Sequence, residues 1–203
     1  MIKKILVSQP APTTDKSPYH DIAQNFGVEF TFQPFVKVEG LEAREFRSQK
    51  VNILDHTAIV FNSRNAIEHF FHLCKELRVT LPEDMKYFGI SEKVILYIQK
   101  FVQYRKRKVF FGTSGHWPEL LTVMAKHKTE KYLFPLSEGT SLEIAGQLDQ
   151  KKIKHTECTM FRTVQAKLDE DTFKNYDMIL IFTPVGVQSL LSNFPNFNQG
   201  DIR

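Results

Sequence analysis

The chain has 203 residues, 42% hydrophobic and 25% charged, which excludes intrinsic disorder. No apolar run approaches a membrane span, and the opening MIKKILVSQP lacks the long apolar region and small-residue cleavage site of a signal peptide, so a cytoplasmic protein is expected. The net charge of +4 favours an anionic ligand a little but demands neither nucleic acid nor a membrane surface.

In chain order, Ile5 to Ser8 reads as a strand and Gln9 to Thr14 as a loop. Ser17-Pro18 opens a helix to Phe26, with serine as N-cap and proline at the first helical position. Val28 to Phe32 alternates like a strand. Gln33-Pro34-Phe35 interrupts it, and Val36 to Val38 is extended again. A proline between two extended segments suits a domain crossing better than a central strand. Gly40 to Lys50 reads as a helix. Ala58 to Phe61 is a buried strand, Asn62-Ser63-Arg64 breaks it with helix-capping chemistry, and Asn65 to Leu77 carries apolar residues at helical spacing. After a loop, Lys86 to Ile90 is a strand and Ser91 caps a helix to about Tyr104.

Val109 to Phe111 is a strand ending at the glycine-bracketed turn Gly112-Thr113-Ser114-Gly115, and a helix follows over Pro118 to Lys126. Lys131 to Phe134 is a strand, Ser137 to Ser141 a polar turn, and Leu142 to Leu148 a helix. His155 to Val164 is a long extended segment. A short helix over Leu168 to Lys174, a strand over Met178 to Phe182 and a helix over Val185 to Leu191 complete the pattern. Laying Phe61 on Phe182 aligns two strand-turn-helix units, so the chain reads as two halves of one kind facing a shared cleft.

Strands alternating with helices imply mainly parallel sheets with helices on both faces. The N-terminal strand-helix-strand and the unit after the long extended segment are each too small for a domain. The economical solution pairs them. The expected fold is α/β, with a discontinuous first domain at 1–35 plus 163–203 and a second, inserted domain at 38–160.

Several familiar chemistries find no support in the residues. There is no Gly-x-Gly-x-x-Gly and no Walker loop. His69 and His72 lie three apart on a helix without an acidic or cysteine partner of metal-ligand spacing, so no metal is expected. Cys74 and Cys158 read as two reduced thiols. The basic run Tyr104 to Lys108 reads as a solvated helix end, where cations are favoured, ahead of a nucleic-acid patch. What stands out is a set of turns that follow predicted strands: Ser8, Asn62-Ser63-Arg64, Ser91, Thr113-Ser114, Ser137 to Ser141, and Thr183-Pro184-Val185-Gly186. In open parallel sheets such turns line the ligand crevice. Hydroxyls and amides with few fixed charges suit a ligand carrying many carboxylates. Catalysis there would rest on holding a reactive conformer rather than on a strong base.

ILVSQPAP, IVFNSRNAIEHF, FGISEKV, TMFRTV and ILIFTPVGVQSLL, in this order and spacing, resemble the uroporphyrinogen-III synthase family over nearly the whole chain. The resemblance implies two doubly wound α/β domains joined by a two-stranded extended linker, with the site in the cleft between them. It implies a hydro-lyase that takes hydroxymethylbilane, removes its hydroxyl, inverts ring D through a spiro intermediate and closes uroporphyrinogen III. It implies a monomer that needs no cofactor.

Substrate contacts carry over to Ser63 and Arg64, Ser91, Thr183 and Gly186, to which the turn pattern adds Ser8, Asn62, Thr113, Ser114 and Pro184. The sequence departs from the family in three places. Phe161 stands where the family usually has tyrosine, so no catalytic residue is assigned. Val185 stands where it has serine. The family normally continues past the final Gly-Asp, so the first domain is expected to be C-terminally incomplete, with an exposed sheet edge. A non-catalytic two-domain anion-binding protein is the alternative reading.

Overall fold

The computed structural model describes residues 2–14, 16–169, 176–200 and 202. The chain divides into two compact units, Met1–Lys37 with Thr163–Arg203, and Val38–Arg162.

The first unit is built on β1 (Lys4–Val7), whose residues Leu6 and Val7 are fully buried. Strand β2 (Glu29–Phe32) pairs parallel on one side of it and β9 (Met178–Leu180) parallel on the other. Between β1 and β2 runs α1 (Pro18–Phe26). Its cap is Ser17, whose hydroxyl accepts from the Tyr19 amide, and it ends at Gly27 in the left-handed region (φ 61). Helix α7 (Pro184–Asn193) follows β9. Leu6, Phe35, Leu168 and Leu190 form the core. The Asn193 side chain donates to the Ala166 carbonyl and accepts from the Leu168 amide, pinning the incoming chain to α7.

The second unit holds strands of a six-stranded sheet, order β3-β8-β7-β4-β5-β6. These are β3 (Val36–Gly40), β8 (His155–Gln165), β7 (Tyr132–Ser137), β4 (Ala58–Phe61), β5 (Lys86–Gly89) and β6 (Val109–Phe111). The pairs from β8 through β6 are all parallel. Successive side chains of a strand point to opposite faces, and both faces are apolar here. Ile59 and Phe61 pack with Ile67, Phe70 and Cys74 of α3 (Arg64–Glu76). Ala58 and Val60 pack with Leu120, Leu121 and Met124 of α5 (Trp117–Met124). The continuous run AIVF is therefore buried on every residue, as a strand between two helix layers requires. Both cysteines are free and buried, and burial pushes the Cys74 thiol up to about 12.

Several elements differ from the sequence expectation. The helix expected over 40–50 is α2 (Ala43–Ser48), because the chain stays extended to Gly40 and the Leu41 amide bonds the Met160 carbonyl. A reciprocal bond of the Glu42 and Glu45 side chains with each other's backbone starts the helix instead. The helix expected to reach Tyr104 is α4 (Glu92–Ile95) followed by a 3-10 stretch, Leu96–Lys100. Burying both Ile95 and Ile98, three residues apart, suits the tighter winding. The basic run is thus not a helix end. Lys106–Lys108 is a 3-10 turn feeding β6, and Arg105 faces Glu83 at 3.5 Å. The helix expected over 142–148 is α6 (Ala145–Gln150). Phe182, the repeat partner of buried Phe61, lies beyond β9 and is exposed. Of the helix expected over Leu168 to Lys174, Leu168 and Asp169 are not helical and the rest lies outside the described residues.

Candidate functional site

Every parallel strand that ends in a capped turn aims backbone amides and the positive end of a helix at its carboxyl edge. In the second unit β4, β5 and β6 are neighbours, so their turns fall in a row. Ser63 closes the first. Its hydroxyl accepts from the Ala66 amide at 3.1 Å, and its backbone is extended, as an N-cap requires. Asn62 before it and Arg64 after it are exposed. Ser91 closes the second in the same way, accepting from the Val94 amide at 3.4 Å. Gly89 sets the close approach beneath that turn, since a Cβ there would lie 2.4 Å from Ile95 Cβ.

Thr113 and Ser114 follow β6, but their amides are not open to a ligand. The Glu119 carboxylate of α5 folds back and accepts from the Thr113 amide, the Thr113 hydroxyl and the Ser114 amide. These donors, expected from the sequence to meet a ligand, are taken by a carboxylate of the following helix. These bonds, first those of Thr113 and then of Ser114, hold the Glu119 carboxyl down at about 2. A depressed carboxyl stabilises the fold above its unfolded value of 4.5, and that contribution drains away as pH falls towards 2. Glu119→Gln is therefore expected to melt lower than the parent at pH 7, with the gap narrowing below pH about 4.5 in paired thermal melts.

In the first unit, Ser8 follows β1 and is buried. Its amide donates to the Leu180 carbonyl and its carbonyl accepts from the Phe35 amide, so its backbone extends the sheet rather than facing a ligand. Thr183 caps α7, accepting from the Gly186 amide at 3.1 Å, with Pro184 at the first helical position. Gly186 fits a tight place here. A Cβ would meet Ile181 Cγ2 at 2.9 Å and Thr183 Oγ1 at 3.3 Å. Caps of this kind contribute about 1 kcal/mol. Ser63→Ala and Thr183→Ala are each expected to lose about that much in urea unfolding, with unchanged slope.

The candidate residues thus fall into two groups. Asn62, Ser63, Arg64, Ser91, Thr113 and Ser114 belong to the second unit, and Ser8, Thr183, Pro184 and Gly186 to the first. Phe161 is buried in β8, with its ring stacked on His69 of α3 at 5.3 Å and 19°. Burial, the largest influence on His69, holds its imidazole below the usual histidine value.

Sequence reasoning passed over two clusters. Arg162 of β8 ties Glu39 at 3.2 Å to Glu45 of α2 at 2.8 Å. Tyr97 gathers Arg64, Lys100 and Glu68 around its ring and hydroxyl. Neither is complete in any local stretch, because Tyr97 lies 29 positions from Glu68 and Arg162 117 from Glu45. Among the described residues no group of three or more His, Cys, Asp and Glu could hold a metal, and no helix is long and apolar enough to cross a membrane.

Mainly parallel sheets, helix layers on both faces of the second unit's sheet and hydroxyl-capped turns at the strand ends define a protein of the mixed α/β class. A family model, HEM4, uroporphyrinogen-III synthase HemD, matches residues 17–203. The chain belongs to the uroporphyrinogen-III synthase HemD family.

The fold is similar to that of a mutant uroporphyrinogen III synthase from the extremely thermophilic bacterium Thermus thermophilus, with TM-score 0.55 and 12% identity over 94% of this chain and 77% of that one. It is also similar to uroporphyrinogen-III synthetase from Helicobacter pylori, with TM-score 0.56 and 11% identity over 99% of this chain and 82% of that one. No curated protein matches the chain.

Proposed function

We propose that the protein is a uroporphyrinogen-III synthase, a hydro-lyase of porphyrin and heme biosynthesis. It cyclises hydroxymethylbilane to uroporphyrinogen III with loss of water and inversion of ring D. The observation that carries this reading is the family match over residues 17–203. The capped turns supply the chemistry it needs: amides, hydroxyls and Arg64 for carboxylates, and no strong base. In this reading the domains are 1–35 plus 163–203 and 38–160. The extended segments near Phe35 and His155–Gln165 link them, and the substrate is held in the interdomain cleft. The enzyme works as a cytoplasmic monomer without a cofactor. Hydroxymethylbilane closes spontaneously to the type I isomer, so the isomer ratio is the decisive readout. Purified protein given freshly made hydroxymethylbilane is expected to yield type III product by chromatography. Type I product alone would overturn the assignment.

A second reading, a non-catalytic anion-binding homologue, is favoured by one observation. Phe161 offers no hydroxyl at the position where the family usually has tyrosine, and its ring is buried against His69. Saturable binding of a polycarboxylate without type III product would support it.

A further inference from the structure

One cluster at the carboxyl edge of the second unit has cationic donors to spare. The Arg64 guanidinium carbon lies 5.5 Å from the Tyr97 ring centroid, and the Lys100 ammonium lies 4.5 Å from the same centroid. The two charge centres are therefore at most about 10 Å apart, both held by attraction to one ring. Tyr97 is itself braced. It meets Phe101 edge-on at 6.1 Å, and Phe101 stacks on Phe71 at 4.8 Å over the core.

Glu68 sits one helical turn after Arg64, the spacing of an ordinary ion pair. That pair does not form. The Glu68 carboxylate instead accepts from the Tyr97 hydroxyl at 3.3 Å. Among the described residues neither Arg64 nor Lys100 has a carboxylate partner. The Lys100 ammonium gives one N–H to the Tyr97 oxygen at 3.3 Å and keeps two, and the guanidinium keeps its N–H fork. With Glu68 counted, the cluster carries one net positive charge.

We propose that Arg64 and Lys100, both held against the Tyr97 ring, form a clamp for two neighbouring carboxylates on one ligand. This rests on the synthase reading, and it adds Lys100 as a binding residue and Tyr97 as a positioning residue. The ligand chemistry fits. A linear tetrapyrrole with eight carboxylates carries two per pyrrole ring on adjacent arms, one for each cation. Arginine takes a carboxylate bidentately, and lysine takes the other as a point charge.

The test uses the full chain at low ionic strength, where exposed charges are least screened. Arg64→Gln and Lys100→Gln are each expected to raise the KM for hydroxymethylbilane about five- to tenfold, with kcat within about twofold. Lys100→Arg restores the KM. Tyr97→Leu keeps both charges but removes their platform, and raises KM comparably. Binding of uroporphyrin, a stable octacarboxylate, is followed in parallel by fluorescence and loses affinity in the same variants. Type III synthesis with unchanged KM in both glutamine variants would overturn the clamp and leave the synthase assignment standing. If the parent makes only type I product, the assignment falls and the uroporphyrin arm decides the clamp. Affinity lost in the glutamine variants supports it, and affinity unchanged overturns it.

Discussion

Gly89→Ala is expected to cost about 3 kcal/mol of unfolding free energy, because it inserts a methyl into a site with no room. Gly89 ends β5 and pairs with Phe61 and Phe111 on either side. The Gly112 amide also bonds its carbonyl. The added carbon would lie 2.4 Å from Ile95 Cβ and 3.2 Å from Ile95 Cα, so no rotamer change relieves it. Either the strand or α4 must shift. The Ser91 cap and the burial of Ile95 and Ile98 hold α4 down. The shift also moves the Ser91 turn, and under the proposed function it is expected to reduce type III synthesis at temperatures where the protein stays folded. Chemical denaturation and a product assay at one temperature check both halves. A loss below about 1 kcal/mol would show that α4 yields freely.

Phe161→Ala is expected to cost about 4 kcal/mol of unfolding free energy, because it opens a cavity where a buried ring stands. The ring packs between the β8 core and the imidazole of His69, so its loss has a second readout. Water reaching His69 should let its pKa rise back towards the ordinary value, visible by NMR titration of the ring protons. The sign for stability follows. A histidine held below its unfolded value favours the neutral form, so folding weakens as pH falls below about 6.5, and less so in the alanine variant.

Phe161→Tyr separates packing from chemistry. It keeps the ring and adds one hydroxyl, at an expected cost under about 1.5 kcal/mol. If the family's phenol assists departure of the substrate hydroxyl, this variant raises kcat several-fold with KM unchanged. An unchanged kcat would show that this chain closes its product without that group.

Much of the architecture was readable because its causes are local. AIVF, four apolar residues closed by Asn62-Ser63, reads as a doubly covered strand and a cap, and both are present. Thr183-Pro184 before an apolar run likewise marks the start of α7. Where tertiary bonds compete with propensity, the reading failed. Gly40 to Glu42 has no strand signal of its own, yet the bond from the Leu41 amide to Met160 keeps the chain extended there and delays α2. The continuation beyond Ile95 has good helical spacing, but packing Ile95 and Ile98 against one core surface tightened it to a 3-10 stretch.

The candidate site divides the same way. Short-range chemistry determined the alternation of strands and helices and the caps at Ser63, Ser91 and Thr183, because each depends on neighbours within a few residues, and the order of these units along the chain carried the family. Only the tertiary structure decided which turns keep their donors. Glu119 fills the turn at Thr113 and Ser114, the sheet takes the backbone of Ser8, and Tyr97 draws Arg64 and Lys100 together. Whether a polar group is free depends on what the rest of the chain brings within hydrogen-bonding reach, and that is set by how the strands and helices pack.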